Sequence, residues 1–294
     1  MFYGCATAII TPFRQDGSID EEGLRELINF QEEHGIDAIV PCGTTGESAT
    51  LSHEEHIRVI EIVVDQARKA KVIAGAGSNS TQEAIFLSKA AKDLGADAIL
   101  SISPYYNKPT QRGIYEHYEK IARSVDIPII IYNVPSRTSS NIEVATVAKL
   151  AEISNIVGIK EASGNIVQVM SIIAQTPKSF TVFSGDDILT FSMMTLGAKG
   201  VISVASNVAP LMVKKMVDCL LSGKWEDARH LHYKLMPLFR TLFIETNPIP
   251  VKTALRLMGK PAGVFRLPLC DMSGANLEIL KNTLRELGIS IGDQ

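Results

Sequence analysis

Two runs, Ile129-Ile130-Ile131-Tyr132-Asn133 and Ile156-Val157-Gly158-Ile159-Lys160-Glu161, show the unit from which this chain is built. Each begins as a short β-branched apolar stretch, which is typical of a strand buried on both faces. Similar apolar runs recur roughly 20 to 35 residues apart, a spacing that fits a strand, a loop and a covering helix. The other runs are Ala8-Ile9-Ile10, Ala38-Ile39-Val40, Val72-Ile73-Ala74, Ala98-Ile99-Leu100, Thr181-Val182-Phe183 and Gly200-Val201-Ile202.

The segments between the runs are amphipathic, as at residues 21–33, 54–69 and 82–94, and predict helices that cover a parallel sheet. Eight such repeats favour an α/β fold of the closed (β/α)8 TIM-barrel type over an open doubly wound sheet. An open sheet would carry a glycine-rich phosphate-binding turn after its first strand, where this chain has Thr11-Pro12-Phe13. From about Pro210 onward the pattern is helical. We therefore predict a barrel domain over residues 1–224 and a C-terminal helical domain over residues 225–294.

The composition argues against several classes of protein. The 294 residues are 46% hydrophobic and carry a formal net charge of −3, which offers no basic field for nucleic acid. No apolar run approaches the roughly 18 residues that a membrane helix needs, and residues 1–5 lack the features of a targeting signal. The scattered cysteines indicate no disulfide framework. We therefore expect a cytoplasmic protein that binds neither nucleic acid nor membrane.

Lys160 is the unusual residue at the carboxyl end of a predicted strand, the end at which barrel enzymes place their reactive groups. A lysine amine with an ordinary pKa near 10.4 is neutral in only about one molecule in 2,500 at pH 7. Burial disfavours the ammonium form, and a pKa of about 8 would leave roughly a tenth of the amine neutral. Lys160 is therefore a candidate Schiff-base nucleophile for a ketone. The plain alternative is a lysine that ends a strand and extends into solvent.

Other polar residues follow neighbouring strands. Tyr132 ends the adjacent strand and can carry protons to and from Lys160, although a core tyrosine fits the same position. The loop Gly43-Thr44-Thr45-Gly46 precedes a helix, and its backbone amides can hold a carboxylate. Arg137 can bind a second carboxylate, or it can be a solvated surface residue.

Two further groups suggest metal ligands but are discounted. His53 and His56 have the spacing i, i+3 and no evident third ligand. Asp186-Asp187 precedes a short apolar segment and is better interpreted as a helix N-cap. The sequence therefore predicts no metal site and no cofactor.

These motifs, taken in order, resemble the dihydrodipicolinate synthase/N-acetylneuraminate lyase family of class I aldolases. The resemblance covers essentially the whole length, from Thr7 to Lys252, and its specific motifs are Gly43-Thr44-Thr45-Gly46-Glu47, Pro104-Tyr105-Tyr106-Asn107-Lys108-Pro109, Tyr132-Asn133-Val134-Pro135-Ser136-Arg137-Thr138 and Gly158-Ile159-Lys160-Glu161-Ala162-Ser163-Gly164. It implies a (β/α)8 barrel that condenses pyruvate with L-aspartate 4-semialdehyde through a lysine Schiff base. The product would be 4-hydroxy-tetrahydrodipicolinate, in the diaminopimelate route of lysine biosynthesis.

The resemblance also implies a role for each residue of the site. Lys160 would form the imine with pyruvate, and Tyr132 would carry protons. Thr44 would link Tyr132 to Tyr106, which in the family reaches across a dimer interface. The residues implied in substrate binding are Thr45 with the Thr44 amide for the pyruvate carboxylate, Arg137 for the aldehyde's carboxylate, and Gly185 and Ile202 through backbone groups.

A homo-oligomer and a regulatory site are further implications of the resemblance. The need for Tyr106 from a partner implies at least a dimer, and the family is usually a tetramer built from dimers. Feedback-sensitive members bind L-lysine at the dimer interface. The matching positions here are Ser48, Ala49, His53, His56, Asn79, Glu83 and Tyr105. The alternative for His53 and His56 is a solvated helix face.

Two rival functions stay open at this point. Another class I pyruvate aldolase, such as an N-acetylneuraminate or keto-deoxy sugar acid lyase, has the same scaffold, but Thr44 beside Thr45 together with Arg137 favours the synthase branch. A barrel that has become a binding or regulatory protein is the rival from a different class. The joint presence of Lys160 and Tyr132 argues against it, because a binder has no need for a desolvated amine beside a phenol.

Overall fold

The structure, a computed structural model, describes residues 2–292 and contains a closed barrel of eight parallel strands. Each strand pairs with the next along the chain, and β8 pairs with β1 to close the sheet. This confirms the predicted (β/α)8 fold. The strands are β1 (Gly4–Ala8), β2 (Ala38–Val40), β3 (Lys71–Gly75), β4 (Ala98–Ile102), β5 (Ile129–Asn133), β6 (Ile156–Glu161), β7 (Thr181–Ser184) and β8 (Gly200–Ser203).

Helices connect the strands and continue beyond β8. Their starts show local capping: the side chain of Asp20 accepts a hydrogen bond from the N–H of Gly23, and Ser52 forms a capping box with Glu55. The helices are α1 (Glu21–Glu33), α2 (His53–Gln66), α3 (Thr81–Asp93), α4 (Gln111–Ser124), α5 (Pro135–Thr138), α6 (Val144–Leu150), α7 (Ile166–Gln175), α8 (Thr190–Thr195), α9 (Pro210–Leu221), α10 (Trp225–Thr241), α11 (Ile249–Leu257) and α12 (Gly274–Glu286).

The barrel strands separate two apolar cores. Ile129 and Ile131 of β5 pack among the helices, whereas Ile130 and Tyr132 lie in the cluster that fills the barrel interior. Side chains alternate between the two faces of a strand. In β6, Ile159 packs among the helices, so the next residue, Lys160, points into the barrel. The alternation therefore places Tyr132 and Lys160 on the same inner face.

Closure of the barrel depends on a glycine contact. Gly200 pairs with Gly4, and a Cβ atom added to Gly200 would lie 1.9 Å from the carbonyl oxygen of Gly4. A side chain at position 200 would therefore push β8 away from β1.

The first strand lies earlier in the chain than predicted. The sequence pattern placed it at Ala8-Ile9-Ile10, but β1 ends at Ala8. The N–H of Ile9 still donates to the carbonyl of Val40 (3.2 Å), while that of Ile10 donates to Oδ1 of Asn207 (3.3 Å). The chain therefore leaves the sheet at Ile10. Because the apolar run continues past the end of the strand, hydrophobicity alone could not locate that end.

The C-terminal helices pack against one another and against the loops at one end of the barrel. Helix α10 packs on α9 and α12, and α11 packs on α12. A β-bridge joins Phe13, in the loop after β1, to Gly263, in the loop after α11. The division into domains at residues 224 and 225 stays a prediction, and residues 1, 293 and 294 lie outside the described part of the chain.

No helix within residues 2–292 combines the length and the apolar character needed to cross a membrane.

Candidate active site

Lys160 lies inside the barrel near the carboxyl end of β6, with 6% of its surface exposed. Burial lowers its pKa to about 8, against an opposing contribution from the charge of Asp187. At pH 7 this pKa leaves roughly one amine in ten neutral. The structure therefore gives Lys160 the environment of a nucleophilic amine and excludes the solvent-extended alternative.

Tyr132 is the direct neighbour of Lys160 across β5 and β6. The two residues are Cα partners in the sheet, and Nζ of Lys160 lies 4.4 Å from the centroid of the tyrosine ring. Burial raises the pKa of Tyr132 to about 12, while Arg137 and a side-chain hydrogen bond with Thr44 lower it. The phenol therefore stays protonated and can donate a proton beside the amine.

The loop between β2 and α2 presents unused amide groups near this pair. Its own hydrogen bonds run from the N–H of Gly46 to the carbonyl of Gly43 and from the N–H of Glu47 to that of Thr44, each 3.1 Å long. Within residues 2–292 the N–H groups of Thr44 and Thr45 have no hydrogen-bond acceptor. Two free amides beside hydroxyl groups form a site that suits a carboxylate.

Gly185 lies next to Lys160, and Ile202 lies in the barrel interior. A Cβ atom added to Gly185 would lie 3.0 Å from both Cγ and Cε of Lys160, so only glycine leaves this space open. Ile202 on β8 belongs to the interior cluster with Tyr132. Gly185 is therefore directly beside the Lys160 side chain, and Ile202 faces the same barrel interior.

Arg137 lies at the mouth of the site, on the short helix α5. It is exposed, and its Nη2 atom donates to the carbonyl of Asn247 (3.3 Å). Arg137 is close enough to lower the pKa of both Lys160 and Tyr132 through its charge. The charge of Arg137 therefore acts on both Lys160 and Tyr132, although the side chain also reaches solvent.

Tyr106 is not buried with the other candidate residues of the same chain. Its side chain is 89% exposed and its backbone has a φ of 70°, which is uncommon for a residue other than glycine. Thr44 lowers the pKa of Tyr132 and is therefore close to its hydroxyl, whereas the exposed Tyr106 side chain extends into solvent within one chain.

Two residues of the site escaped the sequence analysis. Asn247 donates from Nδ2 to Oγ1 of Thr45 (3.0 Å) and accepts from Arg137, so it joins the two expected carboxylate sites. Asp187 was interpreted with Asp186 as a helix cap. Asp186 does cap the 3₁₀ turn Asp187–Leu189 through the N–H of Ile188 (3.2 Å).

Asp187 instead turns inward and is completely enclosed. One oxygen accepts from the Ser203 hydroxyl (2.5 Å), and the other accepts from the N–H groups of Val204 and Ala205 (2.9 Å each). Burial raises its pKa, and these hydrogen bonds oppose that shift. The position of Asp187 after β7, at the reactive end of the barrel, was the signal that would have identified it.

The predicted regulatory residues gather around the start of α3. Nε2 of His53 lies 2.5 Å from Oε1 of Glu83, and Glu83 also accepts from the Ser78 hydroxyl. His56 is buried and donates from Nε2 to the carbonyl of Gly75 (2.7 Å). Burial lowers the pKa of His56. The interpretation of both histidines as a solvated helix face therefore holds for His53 alone.

The remaining members of the set lie in neighbouring loops. Asn79 accepts through its carbonyl from Nδ2 of Asn107 (2.9 Å), in the loop that carries Tyr105 and Tyr106. Ser48 and Ala49 lie in the 3₁₀ turn Ser48–Thr50, before α2. Within residues 2–292 no group of three His, Cys, Asp or Glu side chains has a geometry that could hold a metal ion.

Comparison with known proteins places this geometry in a family. A model described as the dihydrodipicolinate synthetase family matches residues 1–287. The 4-hydroxy-tetrahydrodipicolinate synthase of Methanothrix thermoacetophila is 55% identical over 294 residues, which are 100% of this chain and 99% of that protein. The crystal structure of dihydrodipicolinate synthase from Aquifex aeolicus has a TM-score of 0.97 and 52% identity, and the match covers 99% of this chain and 100% of that one.

Two similar structures carry small molecules. The chloride-inhibited dihydrodipicolinate synthase from Acinetobacter baumannii, complexed with pyruvate, is 45% identical with a TM-score of 0.96 over 98% of this chain and 100% of that one. The enzyme from Cyanidioschyzon merolae with lysine bound is 42% identical with a TM-score of 0.95 over 98% of this chain and 99% of that one.

Because two opposite charges act on Lys160, we predict that two substitutions shift its pKa in opposite directions. Asp187→Asn removes an anion that favours the ammonium, so the pKa of Lys160 should fall below about 8. Arg137→Gln removes a cation that disfavours the ammonium, so the pKa should rise. The pH dependence of Lys160 acetylation by acetic anhydride, followed by peptide mass spectrometry, measures both.

Asp271→Asn is the matched control, because Asp271 is an exposed carboxylate paired with Arg256 on α11. Its acetylation profile should coincide with that of the unaltered protein. Midpoints that do not move in either test variant would contradict the charge environment described here.

Proposed function

Because this chain belongs to the dihydrodipicolinate synthetase family, we propose that the amine of Lys160 forms the Schiff base of its reaction with pyruvate. The reaction is the condensation of pyruvate with L-aspartate 4-semialdehyde, which yields 4-hydroxy-tetrahydrodipicolinate for lysine biosynthesis. The observation that carries the proposal is the buried lysine whose pKa falls to about 8 directly beside a protonated phenol. The names of the relatives favour this reaction over the sugar acid lyase alternative.

The first half of the mechanism joins pyruvate to the enzyme. The neutral Lys160 amine adds to C2 of pyruvate, and Tyr132 donates the proton with which the C2 hydroxyl leaves as water. The free amides of Thr44 and Thr45 hold the pyruvate carboxylate, and the Thr45 hydroxyl adds a further donor. Loss of a proton from the methyl carbon of the imine then gives a nucleophilic enamine.

The second half forms the carbon–carbon bond. The enamine carbon attacks the aldehyde carbon, and the aldehyde oxygen takes up the proton that becomes its hydroxyl hydrogen. Arg137 binds the carboxylate of the aldehyde substrate by a charge-assisted contact. The substrate's amino group then adds to C2 and displaces Lys160, which closes the ring and frees the enzyme. One water is released overall, the one lost when the imine forms.

Reductive trapping tests the Schiff base. Pyruvate with sodium borohydride should attach a three-carbon group to Lys160, because borohydride reduces the imine to a stable secondary amine. Peptide mass spectrometry locates the adduct, and Lys160→Met should remain unlabelled under the same conditions. An unmodified Lys160 peptide in the unaltered protein would refute imine chemistry.

We propose further that Tyr106 completes the proton relay from a second copy of the chain, so that the enzyme is at least a dimer. A tyrosine that is 89% exposed in a left-handed backbone conformation is well placed to enter a partner. The dimers would pair into a tetramer through apolar surface such as Val167 and Met170, one turn apart on α7 and 65% and 42% exposed. We place the enzyme in the cytoplasm with its soluble substrates.

Hybrid dimers test whether Tyr106 of one chain acts in the site of its partner. Tyr106→Phe should lower kcat by about 10- to 100-fold through loss of one proton-transfer group, without changing the fold. Lys160→Met should be inactive for lack of the nucleophile. A co-expressed hybrid of the two variants contains one site with its own Lys160 and an intact Tyr106 from the partner, so activity should return.

Tyr233→Phe is the control for Tyr106→Phe, because Tyr233 is an exposed tyrosine (62%) on α10 that belongs to none of the predicted site residues. Its kinetics should match those of the unaltered enzyme. A hybrid no more active than the two separate variants would show that Tyr106 does not act across an interface.

We also propose that L-lysine inhibits the enzyme by binding around Glu83. The carboxylate of Glu83 suits the ammonium of an amino acid, and the nearby His53 and Asn79 supply polar groups. The hydrogen bond from Asn107 to Asn79 ties this site to the loop that carries Tyr106, which offers a route from lysine binding to the proton relay.

Titration with L-lysine tests this regulation. Millimolar L-lysine should lower the rate, and Glu83→Gln should relieve the inhibition because it removes the charge that pairs with the ligand's ammonium. His56→Ala should also relieve it. Glu116→Gln, which changes an exposed carboxylate on α4, is the matched control and should retain inhibition. A rate that is constant up to millimolar L-lysine would reject the regulatory site.

A further inference from the structure

A fully buried ion pair lies behind the carboxylate-binding loop. Nζ of Lys252, on α11, donates to Oε1 of Glu47 (2.6 Å), and both side chains have an exposure of 0%. Lys252 also donates to the carbonyl of Val264 (2.8 Å). Its ammonium lies 4.5 Å from the ring centroid of Phe13 and 5.1 Å from that of Phe265. The cation is therefore enclosed by one anion, one carbonyl and two aromatic faces.

A buried ion pair of this kind is not expected to raise the stability of the fold. Burying two charges costs several kcal/mol of desolvation for each ion, and apolar replacements of such pairs are often neutral or stabilising. Burial lowers the pKa of Lys252, which reflects that cost, while the charge and hydrogen bond of Glu47 oppose the shift. Within residues 2–292 the second oxygen of Glu47, Oε2, is buried without a hydrogen-bond partner. These features of the ion pair therefore indicate a role other than stabilising the fold.

The backbone of Glu47 links the pair to the site. Glu47 has a φ of 54°, in the left-handed region, and its N–H donates to the carbonyl of Thr44. The preceding residue, Gly46, is held by the Thr11 hydroxyl, which donates to its carbonyl (2.7 Å). The turn that leaves the Thr44 and Thr45 amides free thus ends at the residue whose side chain Lys252 holds.

We propose that the ion pair between Lys252 and Glu47 is a positioning device for pyruvate: the C-terminal helix α11 holds the turn at Gly43–Glu47 so that its free amides face the keto acid. The inference rests on the proposed use of those amides as the carboxylate site. Lys252 and Glu47 are positioning residues in this account, because neither touches the substrate. The predicted C-terminal domain therefore sets the affinity of the barrel for its first substrate.

The main variant removes both charges together, so that neither is left buried alone. The double variant Glu47→Leu/Lys252→Met replaces the pair by apolar side chains of similar volume. Glu47→Gln keeps the shape and an acceptor for Lys252 but removes the negative charge, and it decides the question if the double variant does not fold. Asp271→Asn is the matched control, since Asp271 is an exposed carboxylate outside α11 that pairs with Arg256 of that helix.

The readout is the pyruvate concentration that gives half-maximal borohydride trapping on Lys160. This concentration should rise roughly tenfold in the double variant, equivalent to about 1.4 kcal/mol, and at least about threefold in Glu47→Gln. The KM for pyruvate should rise in parallel. The KM for L-aspartate 4-semialdehyde should change less than twofold, and kcat at saturating pyruvate should be retained.

The outcomes separate this inference from the proposed function. Folded variants that trap pyruvate at the unaltered concentration overturn the positioning role. An equal loss in both KM values and in kcat also overturns it, because general loosening would then be the cause. Failure of the unaltered protein to trap pyruvate refutes the Schiff-base proposal itself and not the positioning role of the pair.

Discussion

The chemistry proposed for this protein depends on the burial of one amine, that of Lys160, away from water. Lys160 is buried near the carboxyl end of β6, and the cost of burying its ammonium lowers its pKa to about 8. The barrel makes this possible because its interior is packed with apolar side chains from alternate strand positions. Lys160 occupies one such position near the mouth of the barrel, where the other candidate residues gather.

Two charges of opposite sign act on that amine. Asp187 favours the ammonium from inside, and Arg137 disfavours it from the mouth. Tyr132 stays protonated because burial raises its own pKa to about 12. Nucleophile and proton donor therefore coexist in their reactive forms at neutral pH.

Many features of the fold were predictable because they depend on short-range patterns. β-Branched apolar runs located seven of the eight strands, and the bounds predicted for α1 agree with the structure. The exception, β1, failed because Ile9 and Ile10 prolong the apolar run after the strand has ended. For the site, the strand-end positions singled out Lys160, Tyr132 and the Thr44-Thr45 loop, since the carboxyl ends of parallel strands converge on one face.

The sequence by itself determined the barrel and its candidate nucleophilic lysine, because strand periodicity and strand-end chemistry are local properties of the chain. Only the tertiary structure decided which polar residues hold the threonine loop at the same end of the barrel. Asn247 meets Thr45 across 202 positions of sequence, and Lys252 meets Glu47 across 205, through contacts between helices and loops that no local pattern encodes. Their roles arise from the packing of the C-terminal helices on the barrel, which determines which buried donors find which acceptors.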